Sequence, residues 1–140
     1  MVIFTRIHWK TPMVTEVTSG VKVSVETFFQ PTHSNPVQSH FVFAYRITII
    51  NESGEEIRLK RRHWYIVDSD NTRREVEGEG VVGEQPVISI GETYRYVSGC
   101  NLNTEIGKMY GTYLMERQSD NKLFYVKIPE FRLFVPSKMN

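Results

Sequence analysis

The chain has 140 residues, 40% of them apolar and 24% charged, with a formal net charge of +1. This length suits a single domain, 1–140, whose core closes without disulfides or metal, and the composition reads as a soluble fold rather than a disordered or membrane-spanning chain. A net charge near zero supplies no long-range field to attract nucleic acid or a membrane surface, so electrostatic recognition must come from a local patch.

The opening stretch, 1–18, is mixed in character, contains Pro12 and reads as an N-terminal arm or edge strand ahead of a sandwich core over 19–135. It has no apolar segment followed by small residues of the kind that marks a signal peptide. The lone cysteine, Cys100, cannot form an internal bridge, which points to a reducing compartment and the cytoplasm. From Val21 the pattern turns β-like. VKVSVETFF places Val21, Val23 and Val25 on one face and Lys22, Ser24 and Glu26 on the other. PTHSNP is a loop by its prolines. HFVFAYRITII, 40–50, reads as a central strand with Phe41, Phe43, Tyr45, Ile47 and Ile49 on one face.

NESGEE then predicts a hairpin turn into IRLKRRHWYIVDS, 57–69, and RREVEG makes a further strand. VISIG is short, and ETYRYVS follows it with Tyr94 and Tyr96 alternating with polar positions. MYGTYLMER and KLFYVKI are joined by QSDN, a hairpin signal, and PEFRLFV closes the chain. NLNTEIGK, 101–108, is the one candidate for a turn or two of helix. Seven to nine strands at this spacing predict an all-β fold, an antiparallel β-sandwich in which apolar faces pack together.

EGEGVVGEQP, 77–86, sets Gly78, Gly80 and Gly83 in the spacing G-x-G-x-x-G of a dinucleotide-binding loop. That motif works only where it opens a helix whose N-terminus holds the phosphates. Here a charged strand precedes it and Pro86 and a β-branched run follow it. Glu75, Glu77, Glu79 and Glu84 also crowd the loop, offset only in part by Arg73 and Arg74, and each carboxylate in contact with a phosphate costs on the order of 1 kcal/mol. The glycines are better read as turn chemistry, with a helix-free phosphate nest as the alternative.

The run RHWYIVDSDNTRREVEGEGVVGEQPVISIGETYRYVSG, with FAYRITIIN before it and GKMYGTYLM and IPEFRL after it, closely resembles the ApaG family. The likeness extends from about Val17 to Val135. It implies a fibronectin-type-III-like sandwich. It also implies links to diadenosine tetraphosphate metabolism and to cobalt and magnesium tolerance. In eukaryotes, similar domains in an F-box protein and a polymerase-delta-interacting protein look like interaction modules. No catalytic residues come with the resemblance. Ile90-Gly91 stands where many members have Pro-Gly.

The only basic cluster is RLKRRHW, 58–64. Strict alternation inward from Ile57 and Leu59 would also bury Arg61 and His63, at a heavy desolvation cost. Either a bulge shifts the register so that Trp64 and Ile66 face in, or this strand end opens to solvent or a ligand. His8, His33, His40 and His63 have no metal-ligand spacing. Cys100 reads as a small semi-buried residue rather than a nucleophile, Asp68, Asp70 and Asp120 as turn formers, and Tyr94, Tyr96, Tyr110, Tyr113 and Phe124 as core and cross-strand residues.

The expectation is therefore a non-enzymatic module that binds a protein partner. Its working surface is drawn from Arg61, Arg62, His63, Trp64, Arg73, Arg74, Gly78, Gly80 and Gly83, with Arg62 and Trp64 as anchors. The alternative is a binder of pyrophosphate or a dinucleoside polyphosphate through the glycine loop. No catalytic residue, metal or cofactor is assigned, nucleic acid and membrane are not expected partners, and exposed sheet edges are compatible with a homodimer.

Overall fold

The computed structural model describes residues 13–136 and consists there of strands, turns and two short 3-10 segments at Pro31–His33 and Pro36–Gln38. The strands are β1 (Val14–Thr18), β2 (Val21–Phe29), β3 (Phe41–Asn51), β4 (Ile57–Asp68), β5 (Arg73–Glu79), β6 (Val87–Ile88), β7 (Thr93–Leu102), β8 (Ile106–Arg117) and β9 (Leu123–Phe134). They form two antiparallel sheets, one in the order β1-β2-β3-β7 and the other β5-β4-β8-β9, with β6 pairing the start of β4. The fold is the antiparallel sandwich expected, with the chain crossing between sheets in the fibronectin-III and immunoglobulin manner. Within the stretch 1–18, read as an arm or an edge strand, Val14–Thr18 is an edge strand paired to β2, and residues 1–12 lie outside the described residues.

Alternation builds the core. Val21, Val23 and Val25 from β2 and Phe43, Ile47 and Ile49 from β3 meet Leu59, Trp64, Met115 and Val126 from the opposite sheet, all nearly or fully buried. Each such aliphatic side chain contributes about 1.5–3 kcal/mol relative to exposure. The expected hairpin at NESGEE is corrected: β3 and β4 lie in different sheets, so this turn carries the chain across the sandwich. The stretch 101–108, the one candidate for a turn or two of helix, is not helical: β7 runs to Leu102 and β8 starts at Ile106. The buried Asp68 carboxylate accepts the amides of Asn103 (3.1 Å) and Thr104 (3.2 Å), which fixes a tight turn there in place of a helix. KLFYVKI and PEFRLFV are one strand, β9, because the β8 pairing skips from Ile128 to Phe131. Pro129 sits in that bulge, where its missing N–H breaks no ladder bond.

Candidate interaction surface

Of the two registers open to RLKRRHW, the structure adopts the bulge. Leu59 pairs with Met115 and Arg61 with Leu114, leaving Lys60 as the extra residue on β4. The shift turns Arg61, His63 and Tyr65 outward and Arg62, Trp64 and Ile66 inward. Trp64 is accordingly 2% exposed, edge-on to Tyr45 at 5.4 Å and Phe131 at 5.8 Å. It is a core residue and not the surface anchor expected of it, because the bulge absorbs Lys60 and keeps Trp64 on the same face as Leu59. Arg62 is no surface anchor either. Its Nη1 donates to the carbonyls of Glu79 (2.9 Å) and Gly80 (3.1 Å). A Cβ on Gly78 would lie only 3.1–3.3 Å from this guanidinium, so the missing side chain makes its seat.

The glycine loop is a tight hairpin plugged into that bulge. Val81 and Glu84 exchange backbone bonds of 2.8 and 2.9 Å around Val82 and Gly83, both at positive φ, as in a type I′ turn. The Gly80 amide and the Gln85 side-chain amide both donate to the Lys60 carbonyl, at 2.8 and 2.9 Å. The Tyr94 hydroxyl donates to the Glu84 carboxylate at 2.8 Å and ties the loop to the opposite sheet. Each glycine thus has its own cause. Gly83 needs only its positive φ, with nothing within 4 Å of an added Cβ. At Gly80 that Cβ would fall 1.9 Å from the Glu84 carbonyl oxygen. Val82 is a β-branched residue at φ 42°, a strained choice for this turn. Urea unfolding should therefore rank three variants. Val82→Asn gains about 0.5–1 kcal/mol by supplying the Asn-Gly pair this turn favours, Gly83→Ala loses about 1 kcal/mol, and Gly80→Ala loses more than that because backbone must part.

The outward face of the β5-β4-β8-β9 sheet has a different character. His63 stacks on Tyr65 with ring centroids 4.5 Å apart, and Tyr65 stacks on Tyr110 at 5.1 Å. On the same face Tyr125 is 66% exposed near His63, and Leu123, in the Arg58–Glu116 row, is 53% exposed. A shallow depression of about 90 Å³ lies between Arg61, His63, Leu114 and Tyr125. On the β5 side, His63 Nε2 is 3.0 Å from Glu75, and Arg61 is 3.8 Å from Glu77. Arg73 and Arg74 part company. Arg73 is exposed, whereas Arg74 turns to the opposite sheet and donates to the Asn101 carbonyl beside the Cys100 thiol. The nine anticipated residues therefore form three groups, an outward pair with Arg73 beyond it, an inward set and a loop, rather than one site. Tyr65, Tyr110, Leu123 and Tyr125 were missed as surface residues. Their sequence signal is weak, since only the strand order β4-β8-β9 brings them together.

Between the sheets lies a tyrosine cluster. The hydroxyls of Tyr96 and Tyr113 are 2.5 Å apart and Tyr45 adjoins them. Burial pushes Tyr45 up to about 12 and raises Tyr96 and Tyr113 well above the ordinary value, with Arg62 opposing part of each rise. Burial likewise lifts the Cys100 thiol to about 11, against the pull of Arg74. That keeps it protonated near neutrality and a poor nucleophile. Among the described residues no group of three or more His, Cys, Asp or Glu side chains is placed to hold a metal ion, and no helix is long and apolar enough to cross a membrane.

Comparison with known proteins gives consistent matches. A family profile described as the ApaG domain matches residues 31–117. Protein ApaG of Brucella canis is 44% identical over 126 residues, covering 90% of this chain and 96% of that protein. Protein ApaG of Brucella anthropi is likewise 44% identical over 126 residues. The crystal structure of a Bordetella pertussis protein named as ApaA superposes with a TM-score of 0.80 at 42% identity, covering 83% of this chain and 94% of that one. At 12% identity and a TM-score of 0.52, the C-terminal domain of wzt shares the fold alone.

Proposed function

The chain belongs to the ApaG domain family, and from that premise we propose that it is a non-enzymatic binding module that engages a protein partner through the outward face of the β5-β4-β8-β9 sheet. The observation that carries this reading is the exposure of Tyr125, which shares a depression with His63 of the stacked His63, Tyr65 and Tyr110, with the exposed Leu123 farther along the same face. An aromatic surface rimmed by charged groups is the make-up of a recognition patch, since aromatics are enriched at interface centres. Capture of a polyphosphate by the glycine loop has less behind it. The amides of Gly80, Val81 and Glu84 are already spent on backbone carbonyls, and Glu84 and Glu79 place negative charge where an anion would sit.

A photo-crosslinking amino acid at position 125 tests the reading, with position 95 on the outward face of the other sheet as control. Covalent protein adducts in cells should form from 125 and not from 95. Adducts in equal yield from both positions, or none from 125, would remove the support.

A further inference from the structure

We propose that the partner for this face is a second copy of the chain, joined face to face about a two-fold axis parallel to the strands; this rests on the interaction-surface reading above. The strand register carries the inference. Glu77 pairs with His63, His63 with Thr112 and Thr112 with Lys127, so these four residues stand in one row across the sheet. The next row in one direction is Glu79, Arg61, Leu114 and Tyr125, and in the other Glu75, Tyr65 and Tyr110, with the exposed Glu130 at the β9 bulge opposite Tyr110. The β5 margin is therefore acidic on this face, while Lys127 on β9 puts a cation at the opposite margin.

A two-fold axis along the strands, passing between β4 and β8, keeps every residue at its own height and reverses the strand order. It lays β5 over β9 of the second copy and β4 over β8. Glu77 then faces Lys127 of the second copy, and the reciprocal contact follows by symmetry, as an isologous interface requires. Tyr65 meets Tyr110 of the second copy at the axis, where two stacked pairs close on each other. The stem of Arg61 lies over Leu114 of the second copy. An axis perpendicular to the strands would instead set β5 against β5 and Glu77 against its own copy.

In this arrangement Arg73 faces Arg132, and Glu75 comes opposite the exposed Glu130, whose charge Lys108 offsets in part at 3.4 Å, so contact is confined to the rows from Arg61 to Tyr65 and the twist of the sheets splays the other end. Four strands about 4.8 Å apart make a face smaller than the roughly 800 Å² per partner of a stable complex. The dimer is therefore transient, with a dissociation constant on the order of 0.1 mM, and weakens as salt screens its charged margins.

Sedimentation velocity from tens of micromolar to about 1 mM tests this with a charge exchange. Glu77→Lys and Lys127→Glu each put like charges together twice per dimer and should each weaken self-association about tenfold. In an equimolar mixture of the two variants, the introduced lysine of one copy faces the introduced glutamate of the other. The second contact of that mixed dimer keeps the native pairing of Glu77 with Lys127. The mixture should restore association to within about threefold of wild type. Thermal unfolding of each variant confirms that the fold is intact, since Glu77 takes part only in exposed pairs. A wild type that stays monomeric, single variants that associate as well as it does, or a mixture that restores nothing would overturn the second-copy assignment. Crosslinking distinguishes the two readings. Adducts from 125 with other proteins alone overturn the second copy and leave the surface standing, whereas no adduct of any mass removes the surface itself.

Discussion

Trp64→Ala should lower the unfolding free energy by about 3–5 kcal/mol, the range for removing a buried aromatic side chain. Trp64 is 2% exposed and edge-on to both Tyr45 and Phe131, so truncation opens a void between the sheets and forfeits two aromatic contacts as well as buried area. For a domain of this size the loss should lower the thermal midpoint by about 10–20 °C. Trp64→Phe, which keeps a ring in the site, should recover much of it, while Arg61→Ala on the outward face should change stability by less than about 1 kcal/mol. Urea unfolding followed by circular dichroism makes the comparison. A Trp64→Ala loss below about 1 kcal/mol would mean that the tryptophan does not pack between the sheets.

Raising the pH should unfold the protein cooperatively between about pH 10 and 12. Burial holds the folded-state values of Tyr45, Tyr96 and Tyr113 above the ordinary tyrosine value of 10. Their contribution is complete below pH 10, where both folded and unfolded chains keep the phenols neutral. It is lost as pH climbs from 10 towards the folded-state values, because only the unfolded chain releases these protons freely. For Tyr45 alone, a rise from 10.0 to about 12 corresponds to about 2–3 kcal/mol, and the other two act in the same direction. Against a typical domain stability of about 5–15 kcal/mol, Tyr45 supplies a sizeable share of the loss and the two further tyrosines add to it. Tyrosinate absorbance at 295 nm should rise together with the loss of β-sheet dichroism. The double variant Tyr96→Phe with Tyr113→Phe removes two titrating groups and both partners of one hydrogen bond, so it should move the midpoint to higher pH. A midpoint that does not move would show that these tyrosines do not govern the transition.

The legibility of this chain follows the range of each signal. The inward facing of Phe41 to Ile49 and of Val21, Val23 and Val25 depends on alternation within a strand, so it could be read directly and agrees with the burial observed, although Ser24 and Glu26 on the other face of β2 are buried too. The glycine motif could be judged from its immediate flanks, since a loop followed by Pro86 and β-branched residues cannot open a helix. The register at 60–64 is of another kind. Both a bulge and an open strand end satisfied the local pattern, and the choice between them lies in the β8 partner, where Leu59 and Arg61 face consecutive residues. Trp64 was misjudged for that reason. Arg62 in its seat on Gly78 joins residues 16 apart in sequence, and the aromatic face needs three strands that span residues 57–134. The stretch 101–108 offers no more than a candidate for a turn or two of helix, because the Asp68 carboxylate that caps the real turn comes from a strand more than 30 residues earlier.

The extra residue on β4 has a consequence for how such sequences can diverge. Without Lys60, the strand from Ile57 to Ile66 would alternate without interruption and keep the facing of every other residue. The insertion therefore does not set which side chains are buried. What it adds is an out-turned carbonyl that receives Gly80 and Gln85. A lineage that deletes the residue loses the socket and both bonds to it, yet position 80 stays closed to a side chain, because the Glu84 carbonyl of the hairpin itself fills that space. Length at one strand position is thus free to vary while the glycine 20 residues later is held by its own turn.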